Sequence, residues 1–229
     1  MPYEGFTSQH RVTGRAAAWG AAFVLLLYIP TTLLGFLSLK SPQDPIGDPH
    51  VTIMELLIIL VAPLMVVSMV AVHAYAPADT KVYSFTALAF AVVLAGITSC
   101  VHFVILSVGR QLEATGQSWV PLLLSFRWPS VFYTLDILAW DWFYALSVLC
   151  AVPVFRGGGL ERALRIVLIV SGVLSLAGLI GVPLGDMQIR NIGIVGYAVM
   201  SPVVFLLLGL VFGRTRNAPQ SVPAPQSST

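Results

Sequence analysis

Glu55, His102, Asp136 and Asp141 are ionisable residues inside stretches apolar enough to cross a bilayer. Both aspartates belong to SVFYTLDILAWDWFYALSVLCAVPVF, residues 130–155, among Tyr133, Trp140, Trp142, Phe143 and Tyr144. A charged side chain at the bilayer centre costs about 2.5–3.5 kcal/mol even on the most lenient scale, so such groups face the bundle interior and commonly mark a site. A carboxylic acid in a dry pocket can donate a proton. Aromatic faces stabilise a cation by about 0.5–2 kcal/mol per contact. Together these residue types suit isomerisation or cyclisation of a lipophilic alkene, and equally the simple binding of a cationic or amphipathic molecule. A single acid would serve as well as a hydrogen-bonded link between helices. Three or four at one depth favour a site.

Helical spacing sorts these residues by face. Tyr133, Asp136, Trp140, Tyr144 and Ser147 recur at intervals of three and four and line one side of a helix. Asp141 lies five positions beyond Asp136, roughly 140° around an α-helix. One acid therefore faces a shared cavity and the other bonds a different neighbour. Asp136 is the choice for the cavity and Asp141 for the anchor, though the reverse assignment fits the spacing nearly as well. Thr98 and Ser99 sit one turn from His102, where a hydroxyl would fix the imidazole tautomer. Thr52 is a turn from Glu55, and Pro63 is placed to kink the same helix. The segment GRQLEATGQSWVPLLLSFRWP, 109–129, reads as an interfacial stretch across the mouth, which as a lid would place Arg127 above Asp136. Asp186 and Arg190, four apart in another connection, read as an exposed ion pair. The candidate catalytic set is thus Glu55, His102 and Asp136, with Tyr133, Trp140, Tyr144, Asp141 and Arg127 as candidate ligand contacts.

The elements that must hold these side chains follow from composition. The chain has 229 residues, 57% of them hydrophobic and 10% charged, with a mean hydropathy of +0.88. A soluble domain carries about 25% charged residues, so lipid is the solvent this surface fits. Apolar windows near 16–38, 51–75, 83–108, 130–154, 163–184 and 192–213 are each long enough to span. They lack period-two alternation, which predicts helices rather than a barrel. Arg11, Arg15, Lys81, Arg156, Arg162, Arg165, Arg214 and Arg216 fall on one side of such a bundle, against Lys40, Arg110, Arg127 and Arg190 on the other. The richer side is the cytoplasmic one by the positive-inside rule. The reading is an all-α polytopic bundle of six transmembrane helices in the cell membrane, with both termini cytoplasmic. Residues 1–15 form an N-terminal cytoplasmic segment, 16–213 the membrane domain, and 214–229, rich in Pro, Ser and Gln, a disordered tail.

On that topology Glu55, His102 and Asp136 share the outer half of the membrane, and a polar cavity opening outward is the main structural expectation. Small residues at 171, 175, 178, 181 and 185, with Gly193 and Gly196, predict close packing of the last two helices. Cys100 and Cys150 fall in opposite halves, too far apart to bridge. The net charge of +2 carries no basic cluster for nucleic acid. Four histidines without HExxH or paired-cysteine spacing call for no metal, and no cofactor motif is present. The expected partners are membrane lipid and a small lipophilic or amphipathic ligand. Whether the pocket turns its ligand over stays open at this level, as does self-association. A proton-coupled carrier and a non-catalytic assembly subunit are the alternatives. The carrier would want a repeat and a polar path through the inner half, where His73 stands alone.

Overall fold

The computed structural model describes residues 6–41 and 44–214, apart from the Glu113 side chain. The expected disordered tail lies outside the described residues from 215 onward. Six helices long and apolar enough to cross a membrane account for most of the chain, and no strand occurs among the described residues. They are α1 Ser8–Leu37, α2 His50–Tyr75, α3 Ala78–Leu112, α4 Val131–Val154, α5 Leu160–Leu184 and α6 Met187–Arg214. Six crossings return the chain to its starting side. The face holding Ser8 and Arg214 is the terminal face below, and the opposite one is the distal face.

Local chemistry sets the ends, and every helix except α4 starts earlier than the apolar windows predict. At α1, Thr7 and His10 form a reciprocal cap that starts the helix at Ser8 rather than near residue 16. At α4, the Ser130 hydroxyl accepts from the Tyr133 N–H at 3.2 Å. At α6, one Asp186 carboxylate oxygen accepts from the N–H groups of Gln188 (2.8 Å) and Ile189 (3.2 Å). This cap moves the start of α6 from the expected 192 to Met187 and brings Arg190 into the helix. Gly185, at φ +66°, makes the left-handed turn between α5 and α6 that a side chain would resist.

Each helix packs on its neighbours in sequence, and α6 closes the ring on α1. The central helix is α4: 56% of its most apolar stretch is buried, against 28% for α1 and α3. Large apolar side chains such as Phe23, Leu34, Phe85, Phe103 and Ile166 point outward, as they must where lipid is the solvent. The core runs from Val61, Met65 and Met69 of α2 through Leu94 to Phe205 and Leu208. At the terminal face it ends in an aromatic layer of Phe6, Tyr75, Phe155 and Phe212. Beside that layer the Tyr75 hydroxyl donates to Glu161 at 2.8 Å.

The small residues of α5 and α6 meet as their spacing predicts. A Cβ on Gly178 would strike the backbone of Gly193, and one on Gly196 would strike Ser175. The Ser171 hydroxyl donates across the interface to the Gly196 carbonyl at 2.7 Å. Gly193 also presses on the Asp141 carboxylate, so there is no room for a methyl group. Gly193→Ala is expected to cost about 1–3 kcal/mol by overpacking, read as a lowered unfolding midpoint in detergent. Gly96→Ala, where nothing lies within 4 Å, is the control and should leave the midpoint unchanged or slightly raised.

Three helices contain π-helical turns: Ile105–Gly109 in α3, Leu138–Tyr144 in α4 and Val195–Val199 in α6. The wider turn rotates every following side chain relative to an α-helix. In α4 it starts two residues after Asp136 and includes Asp141, so their angular offset is smaller than α-helical geometry predicts. Such turns are uncommon and recur at functional sites. Here all three surround one region of the distal half.

Candidate functional site

His102 joins three helices. Its Nδ1 lies 2.6 Å from Oε2 of Glu55 on α2, and its Nε2 lies 3.3 Å from Oδ1 of Asp136 on α4. Glu55 and Asp136 each stand five residues inside the distal end of their helix, roughly 7–8 Å down by the helical rise. Glu55 and His102 are 3% and 5% exposed, so lipid does not reach them. An ionised carboxylate only accepts hydrogen bonds. With both carboxylates ionised, an imidazolium, with its two N–H donors, satisfies both contacts at once. The shorter Glu55 contact orients the ring, and Asp136 is the looser partner.

Beside this triad is a cavity of about 60 Å³ lined by Leu25, Tyr28, Ile58, His102, Asp136, Trp140, Tyr197 and Ala198. It has room for a few waters or a compact head group. Every helix except α5 contributes to its wall. Trp140 is held in place by its indole N–H, which donates to the Thr98 hydroxyl at 3.1 Å. The connection between α3 and α4 folds over the top: the Phe126 ring sits 5.1 Å from the His102 ring and meets Tyr133 edge-on at 6.5 Å.

A second polar pair lies deeper in α4. The Arg190 guanidinium, 1% exposed, donates to Asp141 Oδ2 at 3.2 Å and to the Tyr197 hydroxyl at 2.8 Å. It stands over the rings of Tyr133 (5.1 Å) and Tyr197 (5.5 Å). Among the described residues, neither Asp141 Oδ1 nor Arg190 Nε has a hydrogen-bond partner. The pair ties α4 to α6 and fixes Tyr197, one wall of the cavity.

The structure thus brings Glu55, His102 and Asp136 together and puts Asp136 and Trp140 in the cavity wall. Asp141 turns to another helix, the arrangement chosen from the spacing. Tyr133 packs on Arg190 and Phe126 rather than in the wall. Tyr144 is fully buried, and its hydroxyl bonds Ser171 at 2.8 Å, away from the cavity. Over His102 the lid residue is Phe126; the neighbouring Arg127 is exposed, and its backbone N–H donates to the Ser125 hydroxyl at 3.3 Å. Two expectations are corrected. Thr98 holds Trp140, not His102, because both imidazole nitrogens already face carboxylates. Arg190 is not in an exposed pair with Asp186: Asp186 caps α6, and Arg190 is buried against Asp141.

Arg190, Tyr197, Tyr28 and Phe126 are the residues of the candidate site that residue spacing missed. One signal was available for the first: Asp186 at the turn ahead of the last apolar run is an N-cap residue type. It moves Arg190 into the helix, two turns from Tyr197. No signal marked Tyr28, one tyrosine on a helix apolar all round.

At the distal end, Arg110 of α3 pairs with Asp48 and with the Thr52 hydroxyl, joining the α1–α2 connection to α3 above Glu55. The Thr52 hydroxyl, helped by Arg110, holds the Asp48 carboxyl below the usual carboxylate range. A depressed carboxyl stabilises the fold above its ordinary pKa, and that contribution is lost as pH falls through the folded value. Acidification below about pH 4 is therefore expected to speed amide exchange at the start of α2, with little effect at neutral pH. Asp48→Asn should show the faster exchange already at neutral pH, with less further change on acidification.

Among the described residues no group of three His, Cys, Asp or Glu side chains is placed to hold a metal ion. Comparison of the chain with protein-family models, with curated proteins and with solved structures finds no match to any of them.

Proposed function

We propose that this multi-pass membrane protein binds the head of a small amphipathic or lipophilic ligand in the distal cavity, and that the Glu55–His102–Asp136 triad moves a proton to or from it. The distal face is the extracytoplasmic one, from the excess of Lys and Arg on the other side, and the membrane is the cell membrane. The observation that carries the reading is an imidazole bridging two carboxylates from separate helices at the edge of a cavity. Asp136 touches the ligand. His102 relays the proton, and Glu55 orients the ring, in the manner of base and orienting acid. Trp140, Tyr197 and Tyr28 wall the site, and Phe126 covers it.

A carrier would need a second opening. Against it stand the packed core below the cavity and the aromatic layer at the terminal face. Mass spectrometry of protein extracted from native membrane tests the proposal. A small molecule other than bulk lipid should copurify with the wild type and be lost from His102→Gln. A wild type carrying bulk lipid alone, or a variant retaining the same molecule, contradicts it.

A further inference from the structure

With every carboxyl ionised, the charges around the cavity do not balance, and their imbalance has a sign. Five ionisable side chains of the spans gather there: Glu55, Asp136 and Asp141 as acids, His102 and Arg190 as bases. Arg190 is committed to Asp141, and Arg110, above Glu55, is committed to Asp48. The triad keeps two carboxylates against one imidazole. Even with the ring positively charged, ionised acids leave the unit one negative charge in excess. Asp136 is the member that holds its His102 contact least closely, and it also lines the cavity.

The remaining wall is aromatic and apolar. Tyr28, Trp140 and Tyr197 come from three different helices. Aromatic rings beside a carboxylate are common surroundings of an organic ammonium group, whose charge is spread over apolar substituents, and here Trp140 and Tyr197 pack on each other at 5.5 Å. A bare metal ion would want a cage of oxygens. An anion would meet Asp136. A cavity of about 60 Å³ suits a compact head group rather than a whole drug-sized ligand.

Resting on the pocket reading above, we infer that the ligand is a singly charged cationic amphipath whose small ammonium head lies against Asp136 between Tyr28, Trp140 and Tyr197. Its tail must leave the cavity, since the cavity holds no more than the head. The Asp136 carboxylate supplies charge selectivity, and the three rings supply preference for an alkylated ammonium over a hydrated inorganic ion.

The test uses the full chain in nanodiscs, with empty nanodiscs subtracted, and three probes sharing one tail: hexyltrimethylammonium, hexanol and hexyl sulfate. Binding is read by calorimetry. The expected order is the ammonium first, at least about tenfold tighter than the alcohol, with no measurable binding of the sulfate. Ala198→Leu, which fills the cavity, should abolish binding of the ammonium, and Asp136→Asn should remove its advantage over the alcohol. Alcohol or sulfate bound as tightly as the ammonium, yet still lost in Ala198→Leu, overturns the cation inference and leaves the pocket reading standing. Binding of every probe untouched by Ala198→Leu, or no binding of any, overturns both. The ranking in the wild type decides the question even where Asp136→Asn does not fold.

Discussion

Arg190→Met is expected to be among the most destabilising single changes in this chain, costing about 3–5 kcal/mol. The substitution keeps much of the volume of the side chain but leaves Asp141, 0% exposed, as a buried acid with neither oxygen partnered. It also releases the Tyr197 hydroxyl and removes the cation from over two tyrosine rings. The companion change Asp141→Leu, made together with Arg190→Met, removes the unpaired group and should restore most of the loss. Replacing a buried pair on both sides is commonly near neutral, whereas removing one side is not. Unfolding midpoints of the wild type, the single variant and the double variant read this directly. A single variant as stable as the wild type would mean that the two side chains do not meet.

Asp136→Asn and Glu55→Gln should differ in kind. Asp136 lines the cavity, so the amide removes a desolvated charge from the ligand contact. Losing such a partner costs about 2–5 kcal/mol, or roughly 30-fold to several-thousand-fold in affinity. Glu55 lies behind the imidazole and does not line the cavity. Its amide should weaken binding by about tenfold at most, the worth of one hydrogen bond, while slowing any proton transfer through a ring no longer held in register. Occupancy of the copurified molecule, measured for both variants, separates the roles. Equal losses would mean that Glu55 reaches the ligand as well.

Much of the architecture was legible because lipid leaves few options. Long apolar runs must be helices, and the three-helix convergence followed from placing Glu55, His102 and Asp136 by depth with the helical rise. What the sequence hid has two physical causes. The first is helix ends decided by one capping side chain: Asp186 and Thr7 extend α6 and α1 beyond their apolar windows, and Arg190 was misplaced as a result. The second is the π-helical turns, which change the phase of α4 and α6 without a residue type that announces them. Spacing alone pairs Thr98 with the nearer polar side chain on its own helix. The structure gives it to Trp140, because a neighbouring helix can approach closer than a residue one turn away. Phe126 was invisible because a connection that folds back has no period to read.

His102 touches a different acid at each ring nitrogen, and nitrogen-15 NMR of histidine-labelled protein in lipid tests this bridge most directly. His102→Gln identifies the two ring signals by their loss. Glu55→Gln should then shift chiefly the Nδ1 resonance, and Asp136→Asn chiefly the Nε2 resonance, each leaving the other nearly in place. Ring signals that respond to neither substitution, or to both at the same nitrogen, would contradict the bridge across α2, α3 and α4.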